Sequence, residues 1–423
     1  MPVVESARIR SIVIPLILLA SSLALASCSS SSPPSGAGDS SSSSPTSSAG
    51  DSKAVFHAQI PIALPVPQST GPHAITFANV LSHVSELPQV AWGKVQAVIA
   101  ANKPVRIPSS VYVGPNTTLD VVGGLSRIQQ VLSKDERLWS GFKQTAFYAM
   151  YFYNTKDVAV TSKQFAQDYN AKGYDSARPE DLAGPLRALS GNCQQMTVPG
   201  QFQGQLSKCT GGDSGSYNNS NDSFLQAGQT GDSRDFFITD GGNIGHEYIH
   251  AEQAAQWIDD PLCGNPNGGG KLCSRGAMSN VGFSPCWLIE GQPNSIGPMV
   301  SSRKLADYVK YRSTHLPFGQ GPTNITDYSQ QSIRDYLFNQ SHTTCYQNGE
   351  LYKLGYTVGA LAAEALVAIA GPQATMALFS LGAEGQDFPT AFKNVYGISW
   401  SDASTILSKV VAAEYATFGP PPK

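Results

Sequence analysis

Residues 240–257 read DGGNIGHEYIHAEQAAQW, and within them His246 and His250 stand four apart. On a helix, positions i and i+4 share one face, one turn apart. Two imidazole nitrogens can then reach a single metal ion, and Glu247, next to the first histidine, can reach a water held there. The flanks suit a helix start. Asp235-Phe-Phe-Ile-Thr239 reads as a short buried strand, and Asp240-Gly-Gly-Asn243 breaks the chain and offers N-cap residues. Ile244, Tyr248, Ile249, Ala251, Ala254, Ala255 and Trp257 give the helix apolar surface to hold it in a core. The plainer alternative is a helix carrying two solvated histidines.

A catalytic zinc needs a third protein ligand and one open position. A histidine six residues after His250, with glycine three residues after it, would be the metzincin pattern. Gln256 and Gln253 occupy those positions, which excludes it. A carboxylate from a following helix is the other solution. Between residues 248 and 349 the only glutamates are Glu252 and Glu290. Glu252 is too near His250 in sequence to turn back onto its metal, so Glu290, in Pro285-Cys-Trp-Leu-Ile-Glu-Gly-Gln292, is the candidate.

That segment resembles the W-L-x-E-G run of the gluzincin metallopeptidases, in which the glutamate is the third zinc ligand. The resemblance implies that Trp287 and Leu288 pack this helix against the H-E-x-x-H helix and that Gly291 permits close helix approach. It also implies that Asn294, one turn after Glu290, orients His246 from behind. Two residues depart from the family: Asn294 replaces an acidic residue, and Pro293 removes a helical hydrogen bond. Tyr356-Thr-Val-Gly359 resembles the Tyr-x-x-Gly start of the helix that follows the zinc site in aminopeptidase-type members, where the tyrosine stabilises the oxyanion. Tyr352-Lys-Leu-Gly355 is a second such run. Phe388, Ala391-Phe392 and Tyr396-Gly397 resemble that family's C-terminal bundle. The aminopeptidase G-x-M-E-N signature is missing upstream, so amino-terminal trimming is not implied.

The expected fold class is α+β: an N-terminal α/β region over residues 55–234, then a mostly helical, thermolysin-like domain over 235–423. The expected activity is peptide-bond hydrolysis on one Zn²⁺ held by His246, His250 and Glu290, with Glu247 as general base and Tyr356 as oxyanion donor. Two rivals stay open: a catalytically inactive binding or scaffold protein on the same fold, and a zinc hydrolase of cell-wall peptides.

The amino terminus suggests an address. Arg8 and Arg10 precede the apolar run 12–26, and Leu25-Ala26-Ser27-Cys28 resembles a bacterial lipobox. The expectation is a signal peptide over 1–27, an acylated Cys28 and a membrane anchor on the extracytoplasmic face. Residues 28–54, rich in Ser, Gly and Pro, then read as a tether. The formal net charge of −3 gives no basic surface for nucleic acid. Residues 351–370 form an apolar run, but Glu364 interrupts it and a core helix is the better reading.

With Cys28 set aside, six of the seven cysteines remain. An even number in an exported chain suggests disulfides. Proximity favours Cys193–Cys209 and Cys263–Cys273, leaving Cys286–Cys345. Residues 190–233, dominated by Gly, Ser, Asn and Gln, read as a long polar surface insertion. Helical periodicity marks 77–102, broken near Pro88, together with 118–139, 163–172 and most of the chain after 285. Residues 105–113 and 145–153 read as strands.

Overall fold

The computed structural model describes residues 59–71, 73–172, 212–216, 222–257, 285–317, 327–339 and 349–418. Cys28, the tether and five of the cysteines proposed for disulfides lie outside them. Cys286 is disulfide-bonded, and its partner is also outside.

The sequence of β2 (Phe147–Tyr153), FYAMYFY, places aromatic or apolar side chains on both faces of one strand. Such a strand is stable only when both faces are covered, the setting of a central parallel strand. It lies between β1 (Ser109–Val113) and β4 (Asp222–Gly228), parallel to both. A further strand, β3 (Gly212–Ser216), pairs antiparallel with β4 and forms the edge, giving the order β1-β2-β4-β3. Tyr148, Met150 and Phe152 face the main core. Ala149, Tyr151 and Tyr153 face a smaller cluster with Phe165 and Tyr169 from the helix α3 (Val158–Ala171).

The remainder is helical. A 3₁₀ segment (Val80–Glu86) leads into α1 (Leu87–Ala101), with Pro88 in its first turn, where a missing N–H costs nothing. α2 (Gly124–Leu138) begins six residues later than periodicity alone suggests, because Gly123 takes a left-handed conformation, φ 102°, ahead of it. A helical turn, α4 (Phe236–Thr239), precedes α5 (Gly242–Ala255), which carries the two histidines. α6 (Cys286–Ser301) carries Glu290. Then come α7 (Leu305–His315), α8 (Gln330–Asn339), α9 (Gly349–Leu354), a wide π-helical turn (Gly355–Gly359), α10 (Ala360–Ala370), α11 (Pro372–Ala383), α12 (Phe388–Tyr396) and α13 (Trp400–Phe418). The class is α+β and helix-dominated. Val55–Lys423 form one compact unit, and the boundary expected at 234/235 lies inside it. The apolar stretch Leu351–Ala370 is long enough to cross a membrane but is mostly buried within the fold.

Several expectations need correction. Residues 235–239 are not a strand: Asp235 caps the turn by accepting from the Phe237 N–H at 2.9 Å, and this local bond outcompetes extension. The polar stretch 190–233 is not wholly an insertion, since Asp222–Gly228 is a buried sheet strand. Its composition hid it; neighbours on both sides, not intrinsic propensity, keep it extended. The N-cap of α5 is Gly241, left-handed at φ 86°, with no side-chain cap. Asp240 is instead engaged by the buried Arg127, whose guanidinium also donates to the carbonyls of Asp240 and Ser301. One arginine thus ties the start of α5 to the end of α6.

Asp135 on α2 is fully buried, and neither carboxylate oxygen has a hydrogen-bond partner among the described residues. Burial, reinforced by the nearby Glu252 carboxyl, holds its pKa far above the ordinary value. Burial also pushes Glu252 up to about 8. A carboxyl whose folded pKa is raised keeps its proton after the unfolded chain has released it. Its contribution to stability therefore falls as pH rises above the unfolded value, by up to about 1.4 kcal/mol per pH unit. Asp135→Asn is expected to flatten that slope, and urea unfolding of both proteins at pH 5 and pH 8 measures it. Equal slopes would show that Asp135 is ionised in the fold.

Candidate metal centre

Two helices build the centre by backbone contact. At Gly297 of α6 an added Cβ would lie 2.5 Å from the His246 nitrogen, and at Gly245 of α5 it would lie 3.0 Å from the Gly297 carbonyl oxygen. The helices cross where neither has a side chain, which sets Glu290 against the histidine pair. Gly291, expected to permit close helix approach, does so against the π turn: its Cβ would lie 2.3 Å from the Gly359 carbonyl carbon. Trp287 has its aromatic partners outside α5. It stacks on Trp400 at 5.3 Å and meets the edge of Phe388, so its anchor is the C-terminal helices.

The crossing brings three donors to one point. His250 Nε2 is 3.2 Å from His246 Nε2 and 3.2 Å from Glu290 Oε2, and His246 Nε2 is 3.7 Å from Glu290 Oε2. Ligands at about 2.0–2.2 Å around a tetrahedral ion sit about 3.3–3.6 Å from one another. The three residues are at most 3% exposed. They form a buried group that can hold a metal ion, and the set of two imidazoles and a carboxylate suits a borderline divalent cation. Glu290 also acts at a distance: burial, with its negative charge next in order, raises the pKa of the Tyr336 hydroxyl.

Glu247 is 5% exposed and faces the sheet edge, where a Cβ on Gly212 would come 3.2 Å from its Oε1. Tyr356, in the π turn, lays its ring parallel to that of His246 at 5.9 Å, and its hydroxyl is hydrogen-bonded to that of Tyr352. Of the two tyrosines that share the Tyr-x-x-Gly pattern, Tyr356 therefore lies beside His246, and Tyr352 reaches it through the Tyr356 hydroxyl. Phe237 meets the edge of His246 at 6.0 Å and is itself flanked by Tyr311 and His315. His315 Nε2 lies 2.7 Å from Asp235 Oδ1. Burial would raise Asp235, but this hydrogen bond and the His315 charge hold it below its ordinary value.

Asn294 does not orient His246. Its amide donates to the Tyr356 carbonyl at 2.6 Å, fixing the π turn, and His246 Nδ1 is buried without a hydrogen-bond partner among the described residues. The two prolines inside α6 explain the surrounding bonds. Pro293 and Pro298 lack the N–H groups that would bond the carbonyls four residues earlier, Ile289 and Asn294. Side chains bond them instead: Gln253 Nε2 donates to Ile289 O at 3.1 Å and the Tyr311 hydroxyl to Asn294 O at 2.9 Å.

Sequence reading missed Gln253, Gln292 and Thr375. His250 Nδ1 is 2.9 Å from Gln253 Oε1, Gln253 Nε2 is 2.7 Å from Gln292 Oε1, and Gln292 Nε2 is 2.7 Å from Thr375 Oγ1. The only local signal was Gln253, three residues after His250 and so on its face of the helix. Gln292 and Thr375 come from two other helices and left none. Compared with known proteins, the chain matches no family, no curated protein and no solved structure.

Proposed function

We propose that this chain is a zinc metallopeptidase of gluzincin type with a thermolysin-like arrangement of its helical part, held at the extracytoplasmic face of a membrane through an acylated Cys28. The observation that carries the reading is the convergence of His246, His250 and Glu290 on one buried point, with the Tyr356 ring 5.9 Å from that of His246.

These three residues would hold the ion, which when bound supplies Lewis acidity and lowers the pKa of a water to about 7. The chain's own groups do the rest. Glu247 takes the proton of the attacking water and returns it to the leaving amine. The Tyr356 hydroxyl donates to the oxygen that gains charge as the carbonyl is attacked. Among the described residues β3 has no neighbour on its outer side, and α5 packs against it. An extended peptide can add to such an edge through main-chain bonds alone, which presents a scissile bond beside Glu247 whatever its side chains.

The test is zinc content together with cleavage of an unstructured peptide library. Glu247→Gln is expected to keep zinc and lose turnover by about 10²–10⁴-fold, because an amide cannot accept the water's proton. A zinc-loaded wild type inert to every peptide would leave a binding scaffold as the reading. Tyr356→Phe is expected to keep zinc and lower kcat by about 10²-fold, the usual effect of losing one oxyanion donor. An unchanged kcat would remove Tyr356 from the mechanism.

A further inference from the structure

The chain His250–Gln253–Gln292–Thr375 has a direction, and two backbone carbonyls fix it. Carbonyl oxygens only accept. Gln253 lies 3.1 Å from the Ile289 carbonyl, so the end of its amide that faces Ile289 must be the NH₂. Its oxygen therefore faces His250 Nδ1. At the far end the Thr375 hydroxyl donates to the Pro372 carbonyl at 2.6 Å, so it accepts from Gln292. The NH₂ of Gln292 faces Thr375, and its oxygen takes the remaining donor of Gln253. Neither amide can be turned over without placing an oxygen against a carbonyl oxygen or an NH₂ against a donor. All three polar residues are buried with 0% exposure, so water does not relax the constraint.

We infer that Gln253, held by Gln292, Thr375 and the Ile289 carbonyl that Pro293 leaves free, is a positioning residue that keeps the proton of neutral His250 on Nδ1. The Nε2 lone pair is then permanently directed at the point shared with His246 and Glu290. A carboxylate oxygen 3.2 Å from a bare nitrogen is repulsive unless a cation lies between them. The lock thus makes the empty site unfavourable and the loaded one favourable. Among the described residues His246 has no such partner on its own Nδ1, so within them the two residues differ: His250 is held by a partner and His246 is not. The metal consequence rests on the reading given under Proposed function, whereas the tautomer does not.

Imidazole ¹⁵N spectra of the full chain, stripped of metal and held at a pH where His is neutral, read the tautomer directly. Seven histidines keep the spectrum simple, and a His250→Gln variant assigns the signal. The expected result is His250 protonated on Nδ1 in the wild type. Gln253→Met should give a mixture of tautomers and weaken zinc binding by about 10–100-fold, the range for loss of an outer partner of a metal ligand. A wild-type proton on Nε2, or an unchanged tautomer in Gln253→Met, overturns the inference. An Nδ1–H His250 in a chain that binds no zinc would sink the metallopeptidase reading and leave this one standing.

Discussion

Glu290→Ala is expected to abolish zinc binding, not only activity. Two imidazoles alone would hold an ion with half its tetrahedral shell open. Glu290 is fully buried, and its Oε2 is the one carboxylate oxygen within 4 Å of both histidine Nε2 atoms among the described residues. Outer partners of metal ligands already cost about 10–100-fold in affinity, so loss of a ligand should exceed about 100-fold. Competition with a chromogenic chelator gives the number. Glu290→Gln separates charge from shape: it should fill the site and still bind zinc poorly, because a neutral amide oxygen is a weak ligand. Zinc retained by Glu290→Ala at wild-type affinity would mean that some other group completes the site, and the gluzincin reading would fall with it.

Gly297→Ala is expected to have an effect nearly as large, although Gly297 touches no ligand atom of the centre. A methyl group there would sit 2.5 Å from the His246 nitrogen and 2.9 Å from His246 Cα, both backbone atoms that cannot rotate away. Relief to an ordinary carbon contact needs the helices to part by ~1 Å. The donors now stand 3.2–3.7 Å apart, so such a shift leaves no point within bonding distance of all three. Strain from overpacking of this kind costs about 1–3 kcal/mol, so the chain should fold with lowered stability. Zinc affinity and the urea midpoint should therefore both fall. A Gly297→Ala protein with native affinity would show that α5 and α6 do not cross in contact.

The parts whose chemistry is local were legible in the residues alone. An H-E-x-x-H spacing places two imidazoles on one helix face because the turn of a helix is fixed by covalent geometry. Glu290 was found because the search space was small: one usable glutamate in a hundred residues. β2 was legible because an unbroken run of aromatic and apolar residues has few other uses. Whatever depends on a neighbour distant in sequence became visible only in the fold. Asp222–Gly228 carries the residues of a loop and is a strand because β2 and β3 flank it. Gly297 carries no local signal of its role; Gly245, fifty-two positions earlier, lies against it and supplies the reason for it. Pro293 and Asn294 read as departures from a family pattern. In the fold the proline frees a carbonyl for Gln253, and the asparagine holds the turn that carries Tyr356. A hydrogen bond has a direction only once both partners are in place, so the orientation of His250 could not be read from any one segment.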